Sequence, residues 1–213
     1  MQNSWKSRTV LCGKLLLGVG VLAGAMHAQV SSSVRANSFE VGGFVGASYG
    51  IDDFRVMGGG NVTYAVNKYV LPYVEYSYFP GIGRKTTGTF AGTGQTYTFN
   101  YSIPLSDFHG GVHIRLPIFR ESPIVPYAVL GFGGLTNGDR TVNASFPDAS
   151  GRIIQQSLSV KGATEFAVNG GGGIRFYLGQ RYGFRLEAKA YKPTGDFGNV
   201  FGKVEVGFFV QLR

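Results

Sequence analysis

From residue 38 to its last residue the chain is written largely in a period of two. In FRLEAKAY, residues 184–191, Arg185, Glu187 and Lys189 alternate with Phe184, Leu186, Ala188 and Ala190. Successive side chains of a strand point to opposite faces, so this stretch is a strand with one charged and one apolar face. A soluble sheet turns the apolar face to its core and the charges to water. A membrane barrel does the reverse, with apolar residues toward lipid and charges toward the lumen.

The same alternation marks eight strands, over residues 38–49, 54–66, 69–79, 105–116, 125–135, 164–178, 183–192 and 201–212. Composition agrees with an all-β chain: 34 Gly, 12 Tyr and 17 Phe accompany only 15% charged residues, with no helical periodicity beyond residue 37. The connections sort by parity. Those at 80–104 and 136–163 are long and 193–200 is intermediate, whereas 50–53, 67–68, 117–124 and 179–182 are short. With the amino terminus in the periplasm, both long connections fall on the extracellular side, as in an up-and-down outer-membrane barrel. Rich in Gly, Thr, Ser and Asn and lacking strong apolar periodicity, they are expected to be solvated and mobile, with room for short extensions of the barrel hairpins.

The start of the chain reads as an export signal. Lys6, Arg8 and Lys14 precede LLLGVGVLAGA at 15–25, a run too short to span a bilayer as a helix. Cleavage is expected after Ala28, with Ala25 the alternative, leaving a short periplasmic segment at 29–37 and one domain, the barrel, at 38–213. Cys12, the only cysteine, precedes the apolar run, so the mature chain has neither a disulfide nor a lipoprotein cysteine. The excess of 20 Lys and Arg over 12 acids contains no basic run that would track nucleic-acid phosphates. Anionic lipid headgroups and lipopolysaccharide phosphates suit it better.

The charged side of each strand predicts the lumen. It contributes Glu40, Glu75, His113, Arg115, Glu165, Arg175, Arg185, Glu187, Lys189, Lys203 and Glu205. Five carboxylates and five Lys or Arg bases in that set can close on one another as a salt-bridge network, whereas a channel keeps water and unbalanced charge. Opposite charges should face each other across hairpins. That pairs Glu187 with Lys203 and Arg175 with Glu187, making Glu187 the hub of the ladder Arg175, Glu187, Lys203. On the outer face, Val204, Val206, Phe208, Val210 and Leu212 meet lipid. Tyr49, Tyr69, Tyr78, Tyr127, Tyr177 and Tyr191, near strand ends, are expected to form interfacial girdles.

Catalytic and metal-binding patterns are sparse. LSDFHGGVHIRLP holds Ser106, Asp107, His109 and His113, a hydroxyl, an acid and bases of the kind acyl transfer uses, but lumenal His and Asp are ordinary members of a buried polar network. His109 and His113 stand about 13 Å apart on a strand, too far for one zinc. The GGGG run at 170–173 lacks the Lys-Ser/Thr of a phosphate loop. No cofactor, metal or enzymatic activity is expected.

GGGIRFYLGQRYGFRLEAKAY at 171–191, with the terminal strand, resembles the small OmpA-like outer-membrane β-barrel family, also called porin-family or outer-membrane protein β-barrel domain proteins. The likeness covers essentially the whole mature chain. It implies an eight-stranded antiparallel transmembrane barrel, monomeric, in the bacterial outer membrane. It also implies that Glu205, Gly207, Val210 and Leu212 fill the insertion signal read by the barrel-assembly machinery, although Arg213 stands where many members have an aromatic residue. No peptidoglycan-binding domain is expected after the barrel. A structural or loop-mediated surface role is favoured over a small channel or a lipid-modifying enzyme.

Overall fold

A computed structural model describes residues 35–50, 54–89, 96–116, 122–147, 152–195 and 200–212. The expected leader and most of the segment at 29–37 lie outside them. Ten strands follow in order: β1 (Ser38–Tyr49), β2 (Arg55–Ala65), β3 (Val70–Thr89), β4 (Thr96–Arg115), β5 (Ile124–Asn137), β6 (Arg140–Pro147), β7 (Ile153–Val160), β8 (Ala163–Leu178), β9 (Tyr182–Pro193) and β10 (Phe201–Leu212). Eight of them close a barrel in the order β1-β10-β9-β8-β5-β4-β3-β2, every pair antiparallel. The first and last strands, β1 and β10, zip together from Phe39 with Leu212 to Tyr49 with Gly202. A closed sheet leaves no open edge, since every strand of the wall has a hydrogen-bonded neighbour on both sides.

Side-chain direction follows the alternation. Arg185 is 3% exposed and its neighbour Leu186 is 45% exposed, the inverse of a water-soluble sheet. Along β10, Val204, Val206 and Phe208 face outward while Lys203, Glu205 and Gln211 are buried. The fold is therefore an all-β, closed, eight-stranded antiparallel barrel with an apolar exterior and a charged interior.

Both long connections carry more strand than the short hairpin extensions expected. β3 and β4 run on past the barrel wall, pairing through Ile82 with Ile103 up to Thr89 with Thr96 after a bulge at Phe79/Ile82. β6 and β7 form a separate two-stranded ribbon, from Arg140 with Val160 to Pro147 with Ile153. Thr, Tyr, Phe, Val and Ile recur through these segments, and β-branched and aromatic residues favour extended pairing even where no core is available. At the opposite end the turns are tight. Asn67 Oδ1 accepts the amides of Tyr69 and Val70 at 2.7 and 2.8 Å. Gly179, at φ +71°, reverses the chain so that Leu178 pairs with Tyr182.

The barrel is narrow, and a few lumen-facing glycines set how closely its strands approach. A Cβ on Gly171 would lie 2.1 Å from the Ala188 carbonyl oxygen, and one on Gly59 would lie 2.6 Å from the Phe44 ring and 2.1 Å from the Tyr76 carbonyl oxygen. Strongly curved sheets bend at such residues.

Candidate functional site: the charged lumen

The interior is layered. At the end bearing the long hairpins it is apolar, with Met57, Phe79, Ile82, Leu105, Leu135 and Phe201 in one buried cluster that Tyr191 also joins. Below this lies a band of charge. Of the acids and Lys or Arg bases expected to face the lumen, Glu40, Glu75, Arg115, Arg175, Arg185, Glu187, Lys189, Lys203 and Glu205 are all buried, as is His113. Glu165 is not among them. It is half-buried at the mouth, where a carboxylate oxygen accepts the Gly195 amide at 3.1 Å. Asp107, 1% exposed, stands in the band instead. The buried Asp, Glu, Lys and Arg among the described residues therefore remain five acids and five bases.

The cross-strand pairing differs from the ladder expected. Arg175 faces Arg185, Glu187 faces Glu205 and Lys189 faces Lys203, so like charges sit opposite one another in three successive rows of alternating sign. The 179–181 turn fixes the first row, because pairing Leu178 with Tyr182 carries Arg175 to Arg185. The penalty for like charges is relieved because barrel strands tilt, and long side chains reach the next row and the far wall. Lys189 Nζ lies 2.6 Å from Glu187 of its own strand, 3.4 Å from Glu205 diagonally and 2.6 Å from Glu75 on β3.

The hub is consequently Lys189 with Glu75, in place of Glu187. Glu75 accepts from Lys189 and lies 3.4 Å from Arg185 and 3.6 Å from Lys203. Three carboxylates, Glu75, Glu187 and Glu205, bring oxygens within 4.8 Å of one another, the spacing of a cation site. The lysine ammonium already occupies that role. Glu187 also accepts the Tyr127 hydroxyl at 2.5 Å and lies 3.7 Å from His113, but it is bonded to neither Arg175 nor Lys203.

Two further groups flank the hub. Toward the short-turn end, Glu40 accepts from Arg115 and Arg175, from the Tyr177 hydroxyl at 3.2 Å and from Thr63 at 3.3 Å. Arg175 also reaches His113 Nδ1 at 2.7 Å, with its guanidinium 4.8 Å from the Tyr127 ring centre. Toward the long-hairpin end, Lys203 donates to Asp107 at 2.7 Å, Ser77 at 2.7 Å and Tyr191 at 3.1 Å, using the full donor capacity of an ammonium. Asp107 pairs in turn with His109.

Three of the six expected girdle tyrosines belong to this interior. Tyr127, Tyr177 and Tyr191 are at most 3% exposed and bonded to Glu187, Glu40 and Lys203, whereas Tyr49, Tyr69 and Tyr78 face outward. The acyl-transfer constellation does not come together: Asp107, His109 and His113 point into the lumen, while Ser106 lies on the other face beside the Tyr76 hydroxyl at 3.1 Å. In the terminal-strand frame, Glu205 is buried, Gly207 backs onto Arg185 Nε, and Val210 and Leu212 lie on the outer face.

No protein-family model and no curated protein sequence matches this chain. Solved structures do. Neisserial surface protein A aligns with TM-score 0.52 at 13% identity, over 81% of this chain and 96% of that one. The N-terminal β-barrel domain of Pseudomonas aeruginosa OprF aligns at 0.42 and 15% identity, covering 82% and 98%. Ail, the attachment invasion locus protein of Yersinia pestis, crystallised with the heparin analogue sucrose octasulfate, aligns at 0.45 and 12%, covering 82% and 97%. In fold, this chain is similar to the closed eight-stranded β-barrel of Neisserial surface protein A.

Proposed function

We propose that the protein is an integral barrel of the bacterial outer membrane whose lumen is plugged by its own charges, and whose role is structural or carried by the projecting hairpins. The observation that carries this reading is the Lys189–Glu75 hub. Five acids and five bases neutralise one another within a barrel of eight strands, a size whose interior is just wide enough for its side chains. A water-filled path would leave such groups hydrated and unbalanced. The apolar cluster around Phe79 and Phe201 adds a second obstruction toward the long-hairpin end.

Exported behind a cleaved leader ending at Ala28, the barrel at 38–213 sits as a monomer among outer-membrane lipids and lipopolysaccharide. During biogenesis the assembly machinery engages Glu205, Gly207, Val210 and Leu212. No cofactor or metal takes part, and the division of Ser106 from the lumenal His and Asp residues speaks against acyl transfer. The ribbon β6–β7 and the extension of β3–β4 supply the surface for contacts outside the membrane.

Planar-bilayer recording of the detergent-folded mature protein tests the plug. Wild type should be silent. The charge-balanced double variant Glu75→Ala/Lys189→Ala, which empties the hub without leaving net charge, should show discrete conductance steps. A steady open conductance in wild type would overturn the plug and make transport the leading function.

A further inference from the structure

The outer wall carries a groove of about 500 Å³ lined by Ala47, Tyr49, Phe54, Gly170, Ala188, Ala190, Gly202 and Val204. Its floor follows the sheet registers: Gly170 pairs with Ala190, Ala190 with Gly202, and Gly202 with Tyr49. With neighbouring strands about 4.8 Å apart, Gly170, Ala190 and Gly202 span roughly 10 Å of wall almost without side chains, and Tyr49 closes the lane on β1. Just below it the outer face is thick again, with Leu186 paired with Val206 and Phe184 with Phe208. At the upper edge, Tyr49 is 74% and Phe54 66% exposed.

Packing does not require these glycines. A Cβ on Gly202 would meet nothing nearer than 3.9 Å, and one on Gly170 nothing nearer than 3.6 Å. Gly171, the adjacent lumen-facing residue, would clash with the backbone at 2.1 Å. The bare lane is therefore not a demand of packing inside the wall and leaves a trough open to what lies outside it. Two residues beyond Ala190, toward the long-hairpin end, the exposed Lys192 is the single charged residue on the outer face of β8, β9 and β10. A cation above an apolar trough matches an anionic headgroup with its hydrocarbon chain below.

We propose that this groove on β8, β9, β10 and β1 holds an acyl chain of one anionic phospholipid, whose net-negative headgroup meets Lys192. The proposal rests on the membrane-barrel reading and deepens its lipid partner. A snugly held chain gains dispersion contacts on the glycine floor that a chain over the bulky rows below does not.

Native mass spectrometry of the detergent-folded mature protein, with added phosphatidylglycerol or phosphatidylcholine, tests it. Wild type should keep a single-lipid adduct of phosphatidylglycerol. Gly170→Leu/Gly202→Leu, which fills the trough, should lose the adduct while keeping the folded mobility of an unboiled sample on a gel. Lys192→Gln should bind phosphatidylcholine as wild type does and lower phosphatidylglycerol occupancy about fivefold. An adduct unaffected by the leucines, or equal binding of both lipids by wild type, would overturn the proposal. So would a protein dimer abolished by the leucines, which would make a second copy the occupant. Protease protection of the barrel in vesicles reports separately on the membrane reading, because its loss would refute insertion whatever the adducts show.

Discussion

Replacing Lys189 with methionine keeps the length of the side chain and removes only the ammonium. Its Nζ lies 2.6 Å from both Glu75 and Glu187, and at an effective dielectric of about 20 each such contact amounts to roughly 6 kcal/mol of Coulomb attraction. Desolvation of the charges offsets much of this, so the net loss on breaking a buried pair is about 3–5 kcal/mol. The variant leaves Glu75, Glu187 and Glu205 clustered without their central cation, and one carboxylate must take up a proton for the barrel to close. Glu75→Gln alone should also destabilise, since it frees charge on Lys189, Arg185 and Lys203. The double variant Lys189→Met/Glu75→Gln restores charge balance. It should be more stable than the sum of the two losses implies, with a coupling of about 2 kcal/mol or more. Urea unfolding of the vesicle-folded barrel, followed by far-UV circular dichroism, gives the cycle; Trp5, the only tryptophan, falls in the leader expected to be removed. Additive losses, or a Lys189→Met variant within about 1 kcal/mol of wild type, would refute the hub.

Other perturbations discriminate between parts of the wall and the lumen. Gly171→Ala drives a Cβ onto the Ala188 carbonyl at 2.1 Å and should block folding, read as loss of the heat-modifiable gel band, whereas Gly43→Ala, with its nearest contact at 3.7 Å, should fold normally. Tyr127→Phe removes the hydroxyl that Glu187 accepts at 2.5 Å and should cost about 1–3 kcal/mol in the same urea titration. Asp107→Asn should destabilise more than Glu165→Gln, because Asp107 pairs with Lys203 and His109 in the buried band while Glu165 bonds a loop amide at the mouth. Equal losses would contradict that placement.

The barrel was legible because lipid and lumen impose opposite demands on alternate residues, so β1 and β10 could be bounded from parity alone. Parity also held more than was taken from it. Tyr177 shares a face with Arg175 and Tyr191 shares one with Lys189, so their burial follows from two-residue counting, while proximity to strand ends misassigned them to the girdle. Parity places Asp107 among the lumenal polar residues with His109 and His113, and only the count of paired charges left it out. Pairing across hairpins was a different matter. It depends on where a turn closes, and Gly179 sets that through a backbone angle that charge pattern does not report. A rule written for two strands also omits the far wall, yet Glu75, two strands beyond β1, is what lets the like-charged rows coexist. Extension of the hairpins was anticipated but not its extent, because a composition rich in Gly, Thr, Ser and Asn suggests solvated loops, although Thr87 faces Thr98 as residues of a regular ladder do.

The long β1–β10 seam bears on how such a wall can be completed. Until β1 arrives, the amides and carbonyls of β10 from Gly202 to Leu212 form a free edge, and any strand that holds the growing sheet by that edge occupies the positions β1 will take. With such a holder, seam formation would be a strand exchange, each residue pair gained by β1 displacing one from the holder and the final pair marking release. Because incoming and outgoing ladders would be alike in kind, that exchange would run near energetic neutrality along most of its length. Its direction would then be set by what closure alone provides, the joining of Glu40 on β1 to Arg115 and Arg175 across the sealed lumen.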